Sequence, residues 1–351
     1  MGAGITPDLA RAVEVFAAEK MLPMGFTPQA VAPAAVEELP EAGTFGPENF
    51  IGAFVGEKRV SGAPTGQTVL KVLVRRKVDD PSRIDPQALI GETFQGQPVD
   101  IEELEEVFLL NFWGFEPPPA KGGASIGHGP SGATGTLGCL VAEEGTNYLC
   151  ILSNNHVIGN SNMGQPGDKI FHPGRVDQGL HVYQIGTLYK IHPISFTTFN
   201  EVDAALARTR PEVADFAHHF YTLNPELQTA RVGMLVSKEG RTTGPTLGVV
   251  RGVLGVLDVP YPVKTPFGVQ ERPARFREQI VIQGLGGAFS QRGDSGSLVV
   301  EHETKRPVGL LFAGGRGRDG IDYTFANPIR RVREALNINR FISTQEPVLN
   351  A

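Results

Sequence analysis

Between Gly135 and Phe325, apolar runs of a few residues alternate with Gly, Pro, Asn and Asp, and no run is long enough for a buried helix. Runs this short, rich in β-branched residues and bounded by turn formers, read as strands. Glycine (43) and proline (27) make up about a fifth of the 351 residues, which favours short strands and turns over helix bundles. A hairpin is expected over 135–141 and 147–153. Further strands are expected at 181–185, 203–208, 232–236, 247–257, 279–282, 297–300, 308–312 and 321–325. Strands at this spacing build a sandwich or a barrel.

The first third reads differently. Thr6-Pro7-Asp8 is a helix start, and Leu9, Val13, Phe16 and Ala17 then recur at helical spacing. Thr27-Pro28 repeats the start signal for a second short helix through Val36 and Leu39. Strands over 50–57 and 68–78 flank the loop 62–66, and a short helix at 98–106 with a strand at 107–112 completes a small α+β unit. The Pro/Gly run from Phe115 to Gly123 reads as a linker. The expected division is an N-terminal α+β domain at 1–115 for docking or oligomerisation and a linker at 116–125. A β domain follows at 126–340, closing with a helix after Asn327-Pro328, and a tail at 341–351. The apolar, uncharged end of that tail is expected to dock on a neighbouring subunit.

A net charge of −6 argues against binding nucleic acid or a membrane surface. No segment approaches the ~18 consecutive apolar residues of a membrane span. Met1 to Asp8 lacks a basic patch followed by an apolar core, so the expected location is cytoplasmic. The only two cysteines, Cys139 and Cys150, could face each other across a hairpin, but free buried thiols are favoured in a reducing compartment.

The chemistry centres on Gln291-Arg292-Gly293-Asp294-Ser295-Gly296-Ser297, a serine in a glycine-flanked turn that runs at once into a strand. Such a turn suits a nucleophile whose neighbouring amides point at a developing oxyanion. Of eight histidines, only His156 ends an apolar strand through a small polar turn, Ser153-Asn154-Asn155. Asp203 heads another apolar strand, where a half-buried carboxylate needs a partner. The chain order His, Asp, Ser differs from that of α/β-hydrolases and subtilisins and matches double-barrel peptidases. The other histidines, at 128, 172, 181, 192, 218, 219 and 302, are read as surface or loop residues, and Arg75-Arg76-Lys77 as a solvated strand end.

With these pieces in order, the chain from about Gly135 to Leu336 resembles a trypsin/chymotrypsin-fold serine peptidase. It is similar to the bacterial branch that includes HtrA-type enzymes and, more distantly, plant narrow-leaf-type proteases. The matching pieces are Thr136–Val141, Leu152–Ile158, Val202–Ala207, Gly240–Gly244 and Gly293–Ser297. The resemblance implies a mainly β fold with two six-stranded barrels. It implies that Ser295 attacks a peptide carbonyl, His156 carries the proton, and Asp203 holds the imidazole. It further implies an oxyanion hole from the amides of Gly293 and Ser295, an acyl-enzyme, and no metal or organic cofactor.

Two departures stand out. No Ile-Val-Gly-Gly start lies near Lys121 to Gly127 to supply an amine for Asp294. The substrate pocket is assigned to Phe289, Arg292, Phe312, Ala313 and Gly314, with Phe289 where trypsins carry an acidic residue and Phe312 where the family usually has serine. A small or apolar P1 residue is therefore expected, with Arg292 and Arg316 leaving an acidic preference open. The expected function is a serine endopeptidase acting on protein or peptide, with homo-oligomerisation through the N-terminal domain or the tail. The alternative is a catalytically weak protease-fold scaffold, and a third reading is self-cleavage within 117–123.

Overall fold

In the computed structural model, residues 5–21, 44–60, 63–104, 106–108, 117–146, 148–177, 182–265, 268–317 and 320–343 are described. Six C-terminal strands close into a ring. In spatial order they are Leu235–Gly240, Leu298–Glu301, Pro307–Arg316, Asp322–Pro328, Gly268–Gly284 and Gly244–Thr265, and the last pairs back onto the first. Val236, Val250, Ile282, Phe289, Val299 and Leu311 fill the interior. The other barrel is an eight-stranded sheet in the order Ile338–Phe341, Cys139–Glu143, Leu149–Ser153, Ala205–Arg208, Tyr183–Ile191, Lys169–His172, Ser125–His128, Thr134–Thr136. It wraps Ile126, Leu140, Ile151, Ile170 and Leu188. The mainly β fold with barrel-like sheets and a closing helix is as expected from the sequence, although the sheet of the first barrel has eight strands where six were expected.

A further cluster joins the barrels: Val141, Leu152 and Leu206 from the first pack with Leu298 and Leu310 from the second. The helix Ile329–Leu336 seals this seam with Ile329, Val332 and Leu336. It ends at Asn337 in the left-handed region (φ 53°), and Ile338–Phe341 then returns to pair with the first barrel. Cys139 lies opposite Leu152 and Cys150 opposite Val141, so the two thiols are not cross-strand partners. Both are free and buried, and burial pushes the Cys150 thiol up to about 12.

The N-terminal segment does not stand apart from the barrels. Strand Phe50–Val60 pairs antiparallel with Gly252–Leu257 of the second barrel, and Ala63–Val74 and Gln97–Glu103 extend that sheet outward. The helix Pro7–Glu19 is capped as its sequence predicts, with Thr6 Oγ1 accepting the Leu9 amide at 3.2 Å. It lays Leu9, Val13 and Phe16 on Phe50, Leu70, Val72 and the barrel's own Val256. Each such fully buried side chain is worth about 1.5–3 kcal/mol.

Two expectations for this part need correction. Residues 97–103 are a strand and not a helix. Val99 and Ile101 alternate with Asp100 and Glu102, and both carboxylates reach Lys71 on the adjacent parallel strand, Asp100 at 2.6 Å. A period of two and a cross-strand ion pair outweigh the helical propensity of the glutamates. The linker expected at 116–125 becomes buried strand from Ala120 onward, pairing with Ala214–His218. Its Gly122 admits the His218 ring, which any Cβ there would overlap, so this glycine serves packing and not flexibility. Finally, the second helix expected around 27–39 and most of the strand at 107–112 lie outside the described residues.

Candidate active site

His156 sits in the one-turn helix Asn155–Ile158 that follows strand Leu149–Ser153. The small polar turn before it is a buried hydrogen-bond hub. Asn154 Nδ2 donates to the Asp203 carbonyl at 2.6 Å, and Asn155 Nδ2 donates to His192 O at 2.8 Å and Asn162 Oδ1 at 2.7 Å. Buried amides that spend their donors this way fix the backbone and thereby the ring.

Asp203, with no exposed surface, precedes strand Ala205–Arg208. Its amide donates to Asn327 Oδ1 at 3.0 Å, and Asn327 Nδ2 donates to Gln279 Oε1 at 2.7 Å, so the second barrel sets its position. The carboxylate takes three donors. His156 Nδ1 lies 2.5 Å from Oδ2, the His156 amide 3.2 Å from Oδ1, and the Tyr261 hydroxyl 2.7 Å from Oδ2. Burial holds the Tyr261 phenol well above its ordinary range, so it remains a donor.

Ser295 belongs to the loop of the second barrel that leads into strand Leu298–Glu301. Thr136 of the first barrel ties this loop across the seam: its hydroxyl donates to Gly293 O at 2.6 Å and its amide to Ser295 O at 2.8 Å. A side chain at Gly135 would touch both Val157 and the Ser295 carbonyl, which places the serine beside the turn carrying His156. Gly293 and Gly296 take φ of 95° and 96°, and a Cβ on Gly296 would overlap the Thr136 carbonyl. Only glycine satisfies both demands. Ser295 Oγ lies 3.3 Å from the Phe312 carbonyl. The structure thus gathers His156, Asp203 and Ser295 at one seam, the first two on one barrel and the third on the other.

The structural neighbours are bacterial serine proteases of the chymotrypsin fold. A Cellulomonas bogoriensis chymotrypsin aligns with 64% of this chain and 99% of its own, at 19% identity and a TM-score of 0.41. Thermobifida fusca protease A aligns with 64% of this chain and 100% of its own, at 15% identity and 0.41. A Nocardiopsis protease aligns with 63% and 99%, at 17% identity and 0.41. No protein-family model and no curated protein matches the chain.

Asp294, for which the sequence offered no amine, is met internally. Lys238 Nζ lies 3.2 Å from Oδ2, both side chains having no exposed surface. Thr243 Oγ1 and the Gln291 amide also donate to Oδ2, at 2.7 and 2.9 Å, and the Thr242 amide to Oδ1 at 2.8 Å. Burial pulls the Lys238 ammonium below its ordinary range, and the carboxylate opposes that pull. A second buried pair crosses the seam nearby. Arg241 grips Asp177 with Nε–Oδ2 at 2.5 Å and Nη2–Oδ1 at 2.6 Å.

The pocket residues expected from sequence separate. Phe289 packs inside the second barrel with Val236 and Val250 and does not line an opening. Its aromatic ring follows the barrel's apolar interior, where a position-by-position match to trypsins could not place it. Phe312 and Ala313 are buried in a different cluster, Phe312 against Phe276 at 4.8 Å between ring centroids. Arg292 is exposed on the loop. Beside Gly314 the paired strand contributes Thr324, whose hydroxyl meets that of Ser290 at 2.5 Å.

Several histidines also depart from the surface reading. His128, His172 and His218 are buried. His128 bridges Ser131 and Asp168, each at 2.9 Å, and His172 Nδ1 meets the Ser125 carbonyl at 2.6 Å. His218 stacks on Tyr221 at 4.2 Å, and neither ring nitrogen has a hydrogen-bond partner among the described residues. Burial lowers it to about 4. His181 lies outside the described residues. Sequence reasoning missed Tyr261, Lys238 and Thr324, and only Lys238, a lone cation inside a β-branched strand pattern, carried any signal.

Proposed function

We propose that this chain is a serine endopeptidase. Ser295 Oγ attacks the carbonyl of a peptide bond, and His156 Nε2 takes the hydroxyl proton and returns it to the leaving amine. Asp203 stabilises the imidazolium that forms meanwhile. Water then releases the acyl group from Ser295 by the same proton route. The amides of Gly293 and Ser295 are assigned to the developing oxyanion, a role in which one donor is worth about 10²–10³ in turnover. The observation that carries the reading is the short contact of His156 Nδ1 with the wholly buried Asp203 carboxylate, beside the serine turn. A buried carboxylate is costly unless it is satisfied, and this one is aimed at an imidazole.

Tyr261 is assigned as a positioning residue. Phe312 brings no hydroxyl to Asp203, and the Tyr261 hydroxyl, from the long hairpin of the second barrel, occupies that place. The buried hydroxyls of Ser290 and Thr324 under Gly314 favour a small P1 side chain. Incubating wild type and Ser295→Ala with casein and with a P1-diversified peptide library tests both points. Cleavage by wild type alone, after small residues, is expected. Equal cleavage by both proteins removes the triad, and dominant cleavage after Lys or Arg removes the pocket assignment.

A further inference from the structure

Strand Pro307–Arg316 has two edges. Asp322–Pro328 covers one of them from Gly309 to Arg316. The other edge is divided into three. Leu298–Val300 pairs with its start, from Pro307 to Leu310. The serine loop holds its middle, where the Gly296 amide donates to Leu311 O, Leu311 N donates to Ser297 O, and Ser295 Oγ reaches Phe312 O. The end, Gly314–Arg316, is paired antiparallel with Glu106–Phe108 from the N-terminal segment: Gly314 with Phe108, Gly315 with Val107, Arg316 with Glu106.

A peptide whose carbonyl reaches Ser295 lies beside Phe312. An extended chain continuing from there gains most by adding to a strand edge, where main-chain hydrogen bonds supply affinity for any sequence. The adjoining edge is Gly314–Arg316, about 7 Å away at two residues of strand rise. It already carries a segment of this chain. That segment is delivered by a fixed anchor. Leu104, with no exposed surface, packs in the same cluster as Phe312, Ala313 and Tyr323. Its amide donates to Val74 O at 2.8 Å, and the neighbouring Glu102 carboxylate accepts from the Tyr323 hydroxyl. The tether keeps the local concentration of the segment high, while the pairing among the described residues, three long, is short enough to exchange.

We propose that Glu106–Phe108 is a resident occupant of the edge an extended peptide substrate needs, and that substrate docks at Gly314–Arg316 only by displacing it. The proposal rests on the peptidase reading above. Adjacent strand residues point their N–H groups to opposite sides, so Val107→Pro with Phe108→Pro must remove a donor toward Pro307–Arg316. In that double variant, KM for a peptide with four residues before the scissile bond is expected to fall about tenfold or more. The kcat/KM for a small single-residue ester, which never reaches the edge, is expected to stay unchanged. An unchanged KM for the long peptide overturns the proposal.

A second variant decides the matter if the prolines prevent folding. Paired Cα positions on antiparallel strands lie within disulfide reach. Oxidised Glu106→Cys/Arg316→Cys should therefore lose long-peptide cleavage about tenfold or more and regain it on reduction, with ester hydrolysis retained. Long-peptide cleavage indifferent to reduction overturns the proposal. A wild type inert toward both ester and a fluorophosphonate fails at the peptidase reading itself, and the occupancy proposal falls with it. An active ester combined with unaltered peptide kinetics sinks the occupancy alone.

Discussion

Asp203 and Asp294 are both wholly buried carboxylates near the same serine, yet they are satisfied in opposite ways. Asp294 faces the ammonium of Lys238, with Thr243 and three backbone amides completing its shell. Asp203 faces the imidazole of His156 and the phenol of Tyr261. The Lys238–Asp294 ion pair braces the serine loop, and it is in place without a new chain end. The difference separates a scaffold from a working group.

The largest expected effect falls on the working carboxylate. Asp203→Asn keeps the shape but reverses the preferred tautomer of His156, and kcat is expected to fall about 10⁴-fold with folding intact. A smaller loss would mean that Asp203 is no more than scaffold. For the scaffold carboxylate, Lys238→Met leaves a buried charge without its cation. A loss of about 3–5 kcal/mol in urea unfolding is expected, along with the activity the loop supports. Unchanged stability would show that Thr243 and the amides suffice.

The buried His218 offers a contrast to His156, because no carboxylate hydrogen-bonds its ring among the described residues and burial outweighs the nearby charge of Glu239. Its folded value of about 4 lies below the unfolded value near 6.5, so the unfolded chain binds the proton first as pH falls. Stability attributable to this residue is whole above the unfolded value and declines as pH falls from about 6.5 toward 4, by about 3 kcal/mol in all. Urea midpoints at pH 7 and 4.5 should separate in wild type and draw together in His218→Phe.

The smallest effect tests Tyr261. Tyr261→Phe removes one donor from Asp203. Activity is expected to drop roughly tenfold, as for the loss of one charge-assisted hydrogen bond. The loss should fall on kcat with KM and the urea midpoint unchanged, whereas a merely structural role would lower stability in step with activity.

The parts of this site that were legible in the sequence are local. A strand, a small polar turn and His156 follow one another, as do the glycines around Ser295, because nucleophile and base need particular backbone shapes next to them. Their partners were hidden because they act across the fold. Tyr261 comes from a long hairpin and reaches Asp203 only after the barrels dock. His218 and the Gly122-Gly123 stretch read as loop and linker because glycine marks both flexibility and close packing. At Pro98–Glu106 the glutamates read as helix, and the Lys71 that holds two of the acidic residues lies on another strand. Edge pairing, as at Gly314–Arg316, leaves no mark in sequence at all.

The central claim is that the seam between the barrels holds an assembled nucleophile. Intact-mass analysis after exposure to a fluorophosphonate tests it most directly, with Ser295→Ala alongside. The account predicts a single stoichiometric adduct on the 37.7 kDa wild-type chain and none on the variant. A folded wild type that stays unlabelled, or a variant that labels equally, would contradict it.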